Sequence, residues 1–178
     1  EDPACDYLDR QYMLGERILV APIFNDKGMA SYYLPQGTWT HLLSNATAQG
    51  GQWLREVYDY FSLPLWVREN SLIPTGSNHV RPDYDYTDNT AFHLFALKDG
   101  ASASCFVYAE KGNNRIEAKA IREGETINFT VTTAHKPWTL VLRNIEKVFR
   151  VEGGAAEPTP QGLRIVPAHG SSTLVIHL

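Results

Sequence analysis

The sequence predicts an all-β protein of two consecutive antiparallel β-sandwich-like domains, entered through a short helix. Three observations carry this expectation. Apolar and β-branched runs are short, as in Ile18-Leu19-Val20-Ala21-Pro22-Ile23-Phe24 and Leu65-Trp66-Val67, with turn residues following every few positions. Further along, strict alternation sets in, with Ile127, Phe129 and Val131 on one face of an extended segment and Thr126, Asn128 and Thr130 on the other. Between these regions lies Ser77 to Asn89, polar, acidic and without an apolar face, the kind of segment in which domain boundaries fall.

Taken in order, Glu1-Asp2-Pro3-Ala4 reads as a helix start, with Asp2 as cap and Pro3 at the first helical position. The helix is expected to run from Pro3 toward Arg10, with Cys5 and Leu8 on one face and Tyr12 and Leu14 available as the chain leaves it. So short a stripe must pack on the sheet that follows or on something larger, to which an opening without methionine also points. Gly15 then leads into the run Ile18 to Phe24, where Pro22, unable to donate to a ladder, places a bulge or edge position and splits the strand in two. Asn25-Asp26-Lys27-Gly28 is a turn, Met29 to Leu34 the next strand, and Pro35-Gln36-Gly37 another turn. Thr38 to Leu42 alternates as a strand. Asn45 to Gln52 reads as an irregular polar loop, and Val57 to Phe61 and Leu65 to Val67 as two more strands. Leu72-Ile73-Pro74 closes this region.

Beyond the polar stretch, Phe92, Leu94 and Ala96 alternate with His93, Phe95 and Leu97, and Asp99-Gly100 turns the chain into Ser102 to Tyr108. Gly112-Asn113-Asn114 and Glu123-Gly124 are further turns around Arg115 to Ile121 and Glu125 to Thr132. Trp138, Leu140 and Leu142 repeat the alternation, and Leu174, Ile176 and Leu178 end it. A second antiparallel sheet system follows, most simply a sandwich.

Composition narrows the chemistry. The 178 residues, 43% of them hydrophobic, suffice to bury a core, and the net charge of -4 with scattered Lys and Arg gives no electrostatic footprint for nucleic acid. No stretch approaches the roughly twenty apolar residues needed to cross a bilayer, and no charged-then-apolar leader opens the chain, so a soluble protein without a membrane partner is expected. Cys5 and Cys105, the two cysteines, have no metal-knuckle or disulfide spacing and read as thiols of a reducing compartment. The histidines His41, His79, His93, His135, His169 and His177 lack ligand spacing, so neither a metal nor a cofactor is expected.

Paired carboxylates can act on a glycosidic bond when they flank it at about 5 Å or at roughly 6.5 to 9.5 Å. Asp6 with Asp9 and Asp83 with Asp85 are the pairs available, but the first suits a helix start and the second a solvated segment. No serine sits in a nucleophile elbow, and no glycine-rich loop cradles phosphate. The sequons Asn45-Ala46-Thr47 and Asn128-Phe129-Thr130 read as unused. Trp39, Trp66 and Trp138 lie in apolar strand contexts. Trp53, Tyr84 and Tyr86 do not, and they are the candidates for stacking on a sugar ring.

The ordered series Asp9-Arg10-Gln11-Tyr12-Met13-Leu14-Gly15, Ile18 to Ile23, Tyr33-Leu34-Pro35-Gln36-Gly37-Thr38-Trp39, Leu63-Pro64-Leu65-Trp66-Val67-Arg68 and Ser71-Leu72-Ile73-Pro74 resembles the region after the catalytic barrel in glycoside hydrolase family 31. Thr90-Ala91-Phe92-His93-Leu94-Phe95 and Trp138 to Asn144 are most similar to its bacterial α-xylosidase branch. The resemblance implies a fragment of an enzyme in which a (β/α)8 barrel carries an aspartate nucleophile and an aspartate acid/base, and cleaves terminal α-xylosyl or α-glucosyl residues with retention. Residues 1–14 would be the tail of that barrel domain, 15–78 the proximal and 79–178 the distal C-terminal β domain. Neither catalytic motif is present, so the resemblance assigns no catalytic residue here. It implies a cytoplasmic bacterial protein of carbohydrate metabolism whose partner is its own catalytic barrel and which meets oligosaccharide only through the parent. Apolar positions stripped of the barrel, Tyr7, Leu8, Tyr12 and Met13, would favour homo-oligomers of the isolated chain. Two rival readings are a carbohydrate-binding module built on Trp53, Tyr84 and Tyr86, and a self-contained enzyme using Asp83 and Asp85.

Overall fold

The computed structural model describes residues 3–6, 8–78, 80–109, 115–132 and 136–178. The Asp2 cap, Tyr7, the turn Gly112-Asn113-Asn114, and His79 and His135 lie outside them. The chain divides into two units, Glu1–Glu69 and Asn70–Leu178.

The first unit contains β1 (Tyr12–Leu14), β2 (Ile18–Val20), β3 (Met29–Leu34), β4 (Thr38–His41), β5 (Thr47–Gln49), β6 (Gln52–Val57) and β7 (Leu65–Arg68). An antiparallel sheet in the order β1-β2-β7-β4-β5 packs against the two-stranded ribbon β3-β6. Leu19, Ala21, Ala30, Tyr32, Leu34, Trp39 and Trp66 form the core between them. Asn25 fixes the turn before β3, its side chain accepting from the amides of Lys27 at 3.2 Å and Met29 at 3.0 Å. Gly28, at φ +66°, takes the left-handed position that this turn requires.

Several expectations are corrected here. In place of a helix from Pro3 toward Arg10 there is a three-residue 3-10 turn, Pro3–Cys5, followed by the exposed β1. A helix of two turns without an apolar seat is marginal, and the local cap signal does not sustain it. The strand at Ile18 is not split by Pro22: it stops at Val20, and the Ala21 amide turns to the Pro64 carbonyl at 3.1 Å. Residues 58–61 are not strand, because the Asp59 carboxylate accepts from the Phe61 amide at 2.9 Å and the Ser62 hydroxyl at 2.7 Å and turns the chain. Residues 45–52 are more regular than expected. They hold β5 and the start of β6, whose exposed faces leave no apolar period to read.

The second unit contains β8 (Ser71–Thr75), β9 (Thr90–Phe95), β10 (Ser102–Tyr108), β11 (Arg115–Glu123), β12 (Thr126–Thr132), β13 (Trp138–Arg143), β14 (Arg150–Glu152), β15 (Gly154–Thr159), β16 (Gly162–Pro167) and β17 (Thr173–His177). Two five-stranded sheets, β10-β11-β12-β17-β14 and β15-β16-β13-β9-β8, enclose one core in which Phe92, Phe129 and Trp138 meet with ring centroids 5.4 to 6.2 Å apart. This is a β-sandwich. The alternation in β12 is as read, with Ile127, Phe129 and Val131 buried and Thr130 exposed.

Three features of this unit differ from the sequence reading. β13 runs parallel to β9, not antiparallel, because the chain crosses to the other sheet through β10, β11 and β12 before returning beside β9. β8, the closing strand of the first domain in the sequence reading, pairs with β9 as an edge strand, where Pro74 is tolerated. Ser77 to Asn89, expected as the interdomain link, therefore connects β8 to β9 inside this unit.

Candidate functional site

The loop between β8 and β9 brings two of the three aromatic candidates together. Tyr84 and Tyr86 stand edge to face with centroids 4.9 Å apart. The Tyr86 hydroxyl donates to the Pro82 carbonyl at 2.6 Å, and the Thr90 hydroxyl donates back to the Tyr86 carbonyl at 2.8 Å, fixing the loop on the start of β9. Gly76 follows β8 directly, and a Cβ there would run into the Tyr84 hydroxyl and displace that side chain. Pro74, Thr75, Gly76, Tyr84, Tyr86, Thr90, Phe106 and Val107 line a cleft of about 230 Å³. Tyr86 is 45% and Phe106 43% exposed, so both offer rings to a ligand. Trp53 lies in the first unit, on β6. It is 58% exposed and tilted against Tyr33 at 5.7 Å.

The members of the two acid pairs lie outside the strands. Asp6 and Asp9 are exposed on a segment without a helix, and Asp9 lies 4.0 Å from Arg10. Asp83 is exposed and lies 3.6 Å from Arg81. Asp85 pairs with Lys136 and also accepts from the Thr87 amide at 2.9 Å and hydroxyl at 2.5 Å. The Lys136 hydrogen bond first, then those of Thr87, hold the Asp85 carboxyl down at about 2, which suits an anchored anion rather than a proton donor at neutral pH. Among the described residues, no group of three His, Cys, Asp or Glu side chains could hold a metal ion. Cys5 and Cys105 are not disulfide-bonded.

The sequence reading missed two polar clusters. In the first unit the Tyr32 hydroxyl accepts from Trp66 Nε1 at 2.8 Å, donates to Glu56 and lies 3.1 Å from the Tyr58 hydroxyl, which itself donates to Glu56 at 2.5 Å. Burial, reinforced by the Glu56 hydrogen bonds, pushes both phenols well above their ordinary range. Beside them the buried His41 is read as the Nε2–H tautomer, Nε2 lying 3.0 Å from the Leu63 carbonyl and Nδ1 accepting from the Ser44 amide at 3.1 Å. In the second unit His93 Nε2 lies 3.1 Å from the Thr75 hydroxyl, and its buried Nδ1 has no partner among the described residues. Burial, then the Arg143 charge, lowers His93 to about 4. A second cleft, of about 390 Å³, opens in the first unit between the Pro22–Gly28 and Tyr58–Leu63 loops.

Two family models divide the chain. Residues 1–73 match the glycosyl hydrolase family 31 C-terminal domain, and residues 85–178 match the C-terminal domain of alpha-xylosidase YicI. The chain belongs to glycoside hydrolase family 31. Among the relatives, alpha-xylosidase XylQ of Lactiplantibacillus pentosus is 44% identical over 115 residues, which cover 63% of this chain and 15% of that protein. An alpha-xylosidase of Emericella nidulans is 26% identical over 129 residues, covering 68% of this chain and 16% of that protein. Among solved structures, a cycloalternan-forming enzyme of Listeria monocytogenes superposes with a TM-score of 0.83 at 20% identity, over 99% of this chain and 20% of that one. A GH31 dextranase of Flavobacterium johnsoniae gives 0.80 at 16% identity, over 99% of this chain and 28% of that one. These structural likenesses establish the fold. The chain thus spans only about a sixth of the length of these two curated relatives.

Proposed function

We propose that the chain is the non-catalytic C-terminal part of a retaining family 31 α-glycosidase, an α-xylosidase that hydrolyses terminal α-xylosyl residues. Its task is to support the stability and assembly of the catalytic barrel. The 44% identity to an alpha-xylosidase of which this chain spans 15% carries the reading. The engagement of Asp83 and Asp85 with Arg81 and Lys136 supports a role without acid or base chemistry. In this reading residues 1–14 end the barrel domain, and the two C-terminal β domains follow. The exposed Tyr12, Leu14, Phe24, Tyr60 and Phe61 supply apolar surface for the barrel, or for self-association when the barrel is missing. Substrate is met only through the parent, and two thiols without a disulfide suit the bacterial cytoplasm.

The test is hydrolysis of 4-nitrophenyl α-D-xyloside and α-D-glucoside by the full-length parent and by the 178-residue chain. The parent is expected to prefer the xyloside, and the chain alone to release no nitrophenol from either. Turnover by the chain that is lost in Asp83→Asn/Asp85→Asn would overturn the non-catalytic reading. A parent that prefers the glucoside would overturn the α-xylosidase assignment while leaving the scaffold role standing.

A further inference from the structure

We propose that the cleft between the β8 and β10 edges is a binding site for a single neutral pyranose, at the end of an oligosaccharide or free. This goes beyond the scaffold role and does not depend on it. Three properties of the cleft select that ligand. Its lining combines aromatic rings, Tyr84, Tyr86 and Phe106, with hydroxyls, those of Thr75, Thr90 and the two tyrosines. A pyranose presents the matching surface, an apolar face of C–H groups bordered by hydroxyls. Among the described residues no charged side chain lines the cleft, so an anionic or cationic ligand would find no charged partner there. The volume of about 230 Å³ falls below the roughly 300 Å³ at which sites for larger ligands begin, and it suits one sugar ring.

The hydroxyls are also correctly set. That of Tyr86 spends its proton on the Pro82 carbonyl and so presents lone pairs to an incoming sugar hydroxyl, while the buried Thr90 hydroxyl anchors the loop by donating to the Tyr86 carbonyl. The Arg115 guanidinium lies over the Phe106 ring, 4.3 Å from its centroid, and restrains that ring. Gly76 lets Tyr84 seat its hydroxyl against the backbone.

The experiment is an NMR titration of the 15N-labelled 178-residue chain with D-xylose and with methyl α-D-glucopyranoside, with D-glucuronate as the charged control. A ligand of this size should bind with a dissociation constant on the order of millimolar. Saturable shifts are expected at the amides of Gly76, Thr90 and Val107 with at least one neutral sugar, and weaker shifts with glucuronate. Tyr86→Ala and Phe106→Ala remove exposed rings and should each weaken binding about tenfold, as the loss of one stacking face does; Phe106→Ala should do so without moving the thermal midpoint, whereas Tyr86→Ala, which also deletes the hydrogen bond to the Pro82 carbonyl, should lower it. Shifts that do not saturate with either neutral sugar, or that persist unchanged in both variants, would overturn the assignment. Equal or tighter binding of glucuronate would overturn the choice of a neutral ligand. None of these results bears on xyloside hydrolysis by the parent.

Discussion

Replacing Tyr32 with phenylalanine probes the buried polar network of the first unit with a single atom. Tyr32 is fully buried, and the substitution keeps the ring in the core while deleting the oxygen shared by Trp66, Glu56 and Tyr58. The Trp66 indole N–H then loses its acceptor, and a buried donor left unsatisfied costs about 1–3 kcal/mol. Glu56 is exposed and keeps the Tyr58 hydroxyl at 2.5 Å, so water replaces what it loses. The expected loss is about 2 kcal/mol at pH 7, read from urea unfolding followed by tryptophan fluorescence. The same variant carries a pH signature. Burial and Glu56 raise the Tyr32 phenol, so the folded chain keeps a proton that the unfolded chain releases near pH 10. Stability from this source is intact below about pH 10 and is lost as pH climbs toward the folded value, at about 1.4 kcal/mol per pH unit for each such tyrosine. Tyr58 is raised in the same sense, so the native chain should show two increments and Tyr32→Phe one. A loss below about 0.5 kcal/mol at pH 7, or identical alkaline slopes in the two proteins, would refute the network as described.

Two further outcomes are expected. His93 is held neutral, and a base with a lowered folded pKa contributes stability that is intact above its unfolded value near 6.5 and lost as pH falls toward 4. An NMR titration should place its imidazole midpoint near pH 4, and a midpoint near 6.5 would contradict the burial argument. Tyr84→Ala should lower the thermal midpoint and introduce concentration-dependent association, because Tyr84 packs against the backbone at the end of the β8 edge. An unchanged midpoint with no association on sedimentation would remove Tyr84 from that role.

What could be read from the sequence was whatever one strand states by itself. β12 announces its buried face through Ile127, Phe129 and Val131, and β7 announces its burial through Trp66 and Val67. β5, β6 and β15 have mostly exposed residues and so carry no apolar period, which is why the segments 45–52 and 154–159 gave no strand signal. The parallel pairing of β13 with β9 was hidden for another reason. Its determinant is the passage through three intervening strands, and no local residue pattern encodes a partner nearly fifty positions away. The helix at Pro3 failed in the opposite direction, with a local signal present and no packing to sustain it.

The cleft follows the same division, and its position has a physical cause. Tyr84 and Tyr86 were legible as aromatics in a polar stretch, whereas Gly76 and Phe106 were not, since their meaning depends on the edges of two different sheets meeting. β8 ends one sheet and β10 ends the other, and the two lie in contact. Edge strands expose unpaired backbone groups and must be blunted or covered. Pro74 blunts β8 from within, and the following loop is tied back to β9 by the Thr90 hydroxyl donating to the Tyr86 carbonyl and to itself by Tyr86 donating to the Pro82 carbonyl and Ser77 to the Asp88 carbonyl at 3.1 Å. A loop recruited to guard an edge lays its aromatic side chains along it. The same covering that keeps a sandwich from pairing with its neighbours thereby leaves a small, ring-lined hollow in which no charged side chain stands among the described residues.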